Sequence, residues 1–276
     1  MEIDKKYIGV DIFSGAGGLS IGALNAGIHV PIAIEKDPNA AKTFERNHPE
    51  SKVITNDIVQ VDTESLNVQN PFIVFGGPPC QGFSLSNSKT RNDNNKNNRL
   101  YHEFVRFIRE LNPKWFLFEN VEGIVSFNKG ETVKKIEADF EKLGYTINSK
   151  VLTASDYGVP QDRNRFILIG NREGIRFEFP KKLDGKVTVK EAIDDLPDLE
   201  NGQSIDRLPY RKKPSNYAKK MRDGSRKAKQ NYVSRNTELV LERYKHIKQG
   251  ENWKAIPNHL MQNYANKNNC HSGIYK

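Results

Sequence analysis

Cys80 stands in the stretch FIVFGGPPCQGFSLS (residues 72–86), just past an apolar run, two glycines and two prolines. Each proline fixes its φ, so Pro78 and Pro79 hold the chain extended and present the thiol on a stiff segment. Its neighbours are glycine, proline and glutamine rather than core residues, which favours a thiolate nucleophile over a buried structural cysteine. Glu119 ends another apolar run, WFLFENV (115–121), where a carboxyl group can hold or donate a proton beside a nucleophile. Arg163 and Arg165, in DYGVPQDRNRFILIG, alternate at the entry to a further run and so share a face suited to a phosphate or a carbonyl oxygen. Taken singly, Glu119 fits a helix N-cap or a surface ion pair equally well, and the arginines fit an exposed edge pair.

A second group suits a nucleoside. In DIFSGAGGLS, Gly15 and Gly17 let the backbone approach a ligand closely, but Ser20 stands where a third glycine would complete the G-x-G-x-x-G pattern. Glu35 follows 20 residues after Gly15, at the end of VPIAIE, where a carboxylate can accept hydrogen bonds from both hydroxyls of a ribose. Asp57 closes SKVITND, within reach of an adenine amino group. A glycine turn, an acid and an acid at three successive strand ends describe an adenosine pocket. A nicotinamide dinucleotide and S-adenosylmethionine both satisfy it, and the missing third glycine leans away from the dinucleotide.

These residues need elements that bring them to one place. Strand and helix signals alternate through the first 170 residues: YIGVDIF, VPIAIEKD, SKVITND, PFIVFGG, KWFLFENV, NSKVLTA and RFILIGNR read as seven strands. Helices lie between them in GLSIGALNAG (closed by Gly27), in PNAAKTFERNH and in RLYHEFVRFIREL. A further one carries Val133, Ile136, Phe140 and Leu143 on one stripe. Nearly continuous apolar strands alternating with helices imply an α/β fold, a mostly parallel seven-stranded sheet covered on both faces. Ligands bind such sheets beyond the carboxyl ends of the strands, where the residues above lie. The polar stretch NSKTRNDNNKNN is read as a loop and a candidate lid over a bound nucleotide. Past residue 180 only short helices are legible, in VTVKEAIDDL and NTELVLERYKHIKQG.

The net charge of +9 is unevenly placed: residues 201–250 hold 14 Lys/Arg against 4 Asp/Glu, so the remainder nets −1. A basic segment interleaved with Tyr210, Tyr217 and Tyr232 suits a polyphosphate backbone, and equally suits a solvated surface. No apolar run is long enough to span a membrane, and two cysteines 190 positions apart offer neither a disulfide framework nor metal-ligand spacing. Those totals, with a mean hydropathy of −0.70, point to a reduced, cytoplasmic protein without a metal.

Together and in this order, DIFSGAGGLS, GGPPCQGFS, ENV and QDRNR resemble the motifs of the cytosine-5 DNA methyltransferases over roughly residues 7–170. The resemblance implies a Rossmann-like methyltransferase fold, with residues 1–180 as the S-adenosylmethionine-binding catalytic domain and 181–276 as a basic extension. It implies Phe13, Gly15, Gly17 and Pro78 around the cofactor, Glu35 on its ribose and Asp57 on its adenine. It further implies Cys80 as the nucleophile, Glu119 on the cytosine, Arg163 and Arg165 supporting the pocket, and S-adenosylhomocysteine as product. It implies double-stranded DNA as the partner, within a restriction-modification system. The family's last blocks, including GNAV, are not found, so a split enzyme completed by a second polypeptide, or a truncated chain, is expected; Cys270 is taken as incidental. The competing readings are a silent or partner-dependent DNA-binding subunit, a tRNA cytosine methyltransferase, and a nicotinamide oxidoreductase that leaves Pro78-Pro79-Cys80 unexplained.

Overall fold

The computed structural model describes residues 7–79, 100–222 and 224–261. Cys80, the polar stretch read as a lid, and Cys270 lie outside the described residues. The chain divides into two compact units, Met1–Lys186 and Val187–Lys276.

The first unit is a seven-stranded sheet with helices on both faces, the Rossmann-like α/β fold. Its strands are β1 (Ile8–Ile12), β2 (His29–Glu35), β3 (Lys52–Thr55), β4 (Ile73–Gly76), β5 (Trp115–Val121), β6 (Thr146–Thr153) and β7 (Asn164–Asn171). Between them run α1 (Gly18–Asn25), α2 (Pro38–Asn47), α3 (Leu100–Leu111), the single turn α4 (Gly123–Ser126) and α5 (Glu131–Lys142). The sheet order is β3-β2-β1-β4-β5-β7-β6. Order reverses beside β1, so right-handed crossovers send α1 and α2 to one face and α3 and α5 to the other. The crevice of such a sheet opens at that reversal, between the ends of β1 and β4.

One strand departs from the parallel rule: β7 pairs antiparallel with both β5 and β6. Its beginning therefore lies at the edge where β1, β2, β4 and β5 end. In a parallel sheet Arg163 and Arg165, entering this strand, would have sat at the opposite edge from Glu119. The antiparallel insertion sets Arg165 directly across from Val121 in the ladder.

Local sequence explains the helices that frame the crevice. Asp37 caps α2, its Oδ1 accepting from the backbone N–H of Asn39 and Ala40 at 2.8 Å each, and Pro38 fills a position that needs no N–H donor. α3 buries Tyr101, Phe104, Phe107, Ile108 and Leu111 along one stripe. Phe104, Phe116, Phe118 and Phe140 are completely buried and meet as an aromatic cluster, Phe116 stacking on Phe140 at 4.2 Å between centroids. Burial of each such ring contributes about 2 kcal/mol, which anchors β5 and its end residues.

The second unit holds α6 (Val189–Ile193), an antiparallel hairpin of β8 (Ser204–Pro209) and β9 (Lys227–Tyr232), α7 (Asn216–Arg222) and α8 (Glu238–Lys245). α6 starts on a capping box between Thr188 and Glu191. The hairpin and α7 lie in residues where the sequence reading finds no element, because their strands are polar and lack an apolar alternation. Among the described residues no helix is long and apolar enough to cross a membrane.

Candidate active site

The glycine turn after β1 is built by backbone conformations that few side chains tolerate. Gly15 has φ 55° and Gly17 φ 91°, and Phe13 itself sits at φ 63°. A left-handed aromatic residue costs about 1–3 kcal/mol, and such strain persists where the surroundings over-determine it. Phe13 opens one side of a cleft of about 460 Å³ whose lining includes Glu35, Asp57, Val59, Pro79 and Leu100. The sequence-predicted Phe13, Glu35 and Asp57 are thus brought together. Gly15 touches Glu35 by a hydrogen bond, whereas it is Pro79, not Pro78, that reaches the cleft.

Glu35 is held rigidly. Its Oε2 accepts from the Gly15 N–H at 2.7 Å and its Oε1 from the Asp37 N–H at 2.7 Å. Asp57 caps a short 3-10 turn by accepting from the Val59 N–H at 3.2 Å, and Lys36 donates to its other oxygen at 2.5 Å. The Lys36 ammonium holds the Asp57 carboxyl below the usual range, aided by the Val59 N–H.

Four residues absent from the sequence reading support this cleft. Asp11, in the middle of β1, is fully buried and accepts from the Ser20 hydroxyl at 2.6 Å. Burial pushes its carboxyl up to about 7, against the Ser20 hydrogen bond, with Glu35 adding repulsion. Ser20 therefore replaces the third glycine because Asp11 beneath it needs a donor. His48, which follows α2, is also buried, and its Nε2 lies 3.0 Å from the Gly17 carbonyl oxygen. Its ring packs on Phe44 at 4.3 Å between centroids, and a Cβ on Gly17 would stand 2.3 Å from Nε2. Asn47 beside it donates to the Ala16 carbonyl at 3.4 Å. One helix, α2, is thereby tied at its start to Glu35 and at its end to the glycine turn. Arg106 on α3 braces the third wall, donating to the carbonyls of Ile58 (2.9 Å) and Val61 (3.3 Å). The signals were present in sequence as a polar residue inside an apolar strand, a histidine closing a helix and an arginine beside an apolar stripe. Each has a commonplace surface explanation until the fold is known.

Across the crevice, Glu119 near the end of β5 pairs with Arg165, Nε to Oε1 at 2.5 Å. Both side chains are about a quarter exposed. Arg163 is exposed one residue before β7 and makes no ion pair with Glu119 among the described residues. The two glycines before the prolines act by close approach and not by a turn, since neither adopts a positive φ. A Cβ on Gly76 would lie 1.7 Å from the Ile12 carbonyl oxygen, and one on Gly77 would lie 2.7 Å from Glu119 Oε2. Asn120 donates to the Pro78 carbonyl at 3.4 Å, fastening the proline segment to β5. Gly77 lines the cleft and abuts Glu119, so one residue without a side chain separates the two.

The chain is similar to known proteins over nearly its whole length. It is 36% identical to the Type II methyltransferase M.DdeI of Desulfomicrobium norvegicum, over 96% of this chain and 66% of that protein. It is 38% identical to the Type II methyltransferase M1.HphI of Haemophilus parahaemolyticus, over 71% of this chain and 54% of that protein. The chain thus spans about half to two thirds of the length of these relatives. A solved structure described as a DNA modification methyltransferase encoded within a prophage (E. coli) superposes with a TM-score of 0.73 at 29% identity, covering 89% of this chain and 77% of that one. The profile of the C-5 cytosine-specific DNA methylases matches residues 7–275, and the chain belongs to that family.

Proposed function

We propose that this chain transfers a methyl group from S-adenosylmethionine to C5 of cytosine in double-stranded DNA, as the modification activity of a restriction-modification system. The observation that supports it best is the adjacency across Gly77 of an acid-lined cleft and the Glu119–Arg165 pair, at the strand-order reversal.

The residues of the cleft fit the cofactor. Glu35, already turned inward by two backbone N–H groups, is the acceptor for ribose hydroxyls, and Asp57 the acceptor for an amino group on adenine. Phe13 and Leu100 give the apolar surface a purine needs, and Gly15 and Gly17 allow the backbone close approach. When bound, S-adenosylmethionine supplies an electrophilic methyl group on a sulfonium, which an enamine-like C5 can accept.

The chain's own residues generate that enamine. Cytosine must leave the duplex stack to meet them. The Cys80 thiolate adds to C6, forming a C–S bond as the C5–C6 π electrons move into the C4–C5 bond and those of C4–N3 move onto N3. Glu119 holds a proton at N3 so that charge does not accumulate there, and Arg165 fixes the carboxyl's orientation. Once C5 carries the methyl group, loss of the C5 proton to a base re-forms the C5–C6 double bond and expels Cys80 as the thiolate. Residues 1–180 carry this chemistry, either within this chain alone or together with a second polypeptide.

Duplex DNA containing 5-fluorocytosine tests the proposal, because the missing C5 proton traps the C–S bond. The full chain with S-adenosylmethionine, alone or with such a second polypeptide, should give an adduct that survives denaturing electrophoresis and is lost in Cys80→Ala. Absence of an adduct in both conditions, with S-adenosylhomocysteine binding intact by calorimetry, would leave a silent cofactor-binding subunit instead.

A further inference from the structure

Within the basic segment left open by the sequence, two groups stand apart once their contacts are seen. One is structural. Arg211 Nη1 bonds both oxygens of Asp198 at 2.7 Å and its Nη2 bonds Asp194 at 2.8 Å, while Lys212 pairs with Asp194 as well. Arg222 pairs with the buried Asp195 and lies over the Tyr210 ring, its Cζ 3.4 Å from the centroid. Arg243 donates through Nε and Nη2 to the Leu260 carbonyl, and Lys245 pairs with Glu242. These contacts use up Asp194, Asp195, Asp198 and Glu242.

The other group is on the hairpin. Arg207 and Lys229 stand directly opposite in the β8–β9 ladder, and their side chains therefore share a face. Lys227 lies two residues from Lys229 with the buried Ala228 between them, which puts it on that same face. Leu208, across from Ala228, turns to the other side. Among the described residues Lys227 and Lys229 make no ion pair, and Arg207 has only Asp206, at 3.5 Å. Like charges directly across a ladder are destabilising, so this arrangement costs stability unless an anion lies over it. Along β9, Lys227 and Lys229 stand about 6.8 Å apart on the same face, with Arg207 beside Lys229 on the neighbouring strand.

We propose that the exposed face of the β8–β9 hairpin, through Arg207, Lys227 and Lys229, contacts the phosphate backbone of duplex DNA without reading its sequence. The choice of duplex DNA as occupant rests on the methyl-transfer reading above. This contact is separate from the residues that handle the cofactor and the base. It holds the duplex by counterion release, so it governs how binding responds to salt.

The test measures binding of the full chain to a fluorescent duplex by anisotropy between 50 and 300 mM salt (about the range in which counterion release is resolved). The variant R207Q/K227Q/K229Q should lower the slope of log K against log salt by about 2–3, at about 0.9 per phosphate contact, with at least tenfold weaker binding at low salt. The control K190Q/K248Q/K254Q removes the same charge from exposed positions elsewhere in the second unit and should leave the slope unchanged. Equal loss in both variants, an unchanged slope in the first, no duplex binding by the wild type, or tighter binding of a matched RNA duplex overturns the proposal. Calorimetry with S-adenosylhomocysteine on the same samples reads the methyl-transfer reading separately. Intact cofactor binding in the hairpin variant also shows that the chain is folded.

Discussion

At the scale of single residues, two buried groups under the glycine turn set measurable limits on the cofactor cleft. His48 bonds the Gly17 carbonyl and fills the space that a side chain on Gly17 would need. His48→Ala should raise the KM for S-adenosylmethionine about fivefold, the worth of one neutral hydrogen bond of about 1 kcal/mol, with kcat little changed. His48→Asn, which keeps a donor near the same place, should recover part of that loss. Asp11 makes stability depend on pH in an unusual direction for a carboxyl group. Its folded value of about 7 lies above the ordinary 3.8, so between these values the folded state holds a proton that the unfolded state has released. Stability from this group is therefore full below about pH 4, falls as pH rises toward 7, and is flat above it. Asp11→Asn removes the dependence, and its advantage over the wild type in urea unfolding should grow between about pH 5 and 7. For Glu119→Gln the expected effect is on rate, a 10²- to 10⁴-fold loss of methyl transfer measured by tritium incorporation, about what a positioned proton carrier contributes.

At the scale of elements, β4 ends in two glycines because β1 and Glu119 lie too close for any side chain there. Gly76→Ala would drive a methyl group into the Ile12 carbonyl and force β1 and β4 apart. A loss of about 3 kcal/mol or more in denaturant unfolding is expected, beyond ordinary overpacking because the obstacle is backbone. Much of this architecture was legible beforehand. The apolar runs ending at Glu35, Gly76 and Val121, and the stripe through Phe104, Ile108 and Leu111, follow directly from periodicity and burial. The direction of β7 was not legible, because FILIG reads the same in either sense and only pairing decides. The hairpin β8–β9 escaped for the opposite reason, since SIDRLP and KAKQNY carry too few apolar residues to signal a strand. His48, Asn120 and Arg106 act on carbonyl oxygens of distant segments, contacts that leave no trace in local spacing.

At the scale of the whole molecule, charge is divided between the two units. Residues 1–186 hold 25 Lys/Arg and 24 Asp/Glu, and residues 187–276 hold 18 and 10, which accounts for the total of +9 as +1 and +8. Cofactor affinity, a matter of the nearly neutral first unit, should stay flat between 50 and 300 mM salt while DNA affinity falls steeply, a contrast that calorimetry and anisotropy can read on one sample (Debye screening acts chiefly on exposed charge). The two ends of α2 also decide where this chain can grow or shrink. Its ten residues span the distance from Glu35 to the Gly17 carbonyl, with a fixed contact at each end. One residue added within it would turn His48 by about 100° and carry it about 1.5 Å along the axis, off Gly17 altogether. A chain that keeps this clasp must therefore keep the count of residues between its two fastenings.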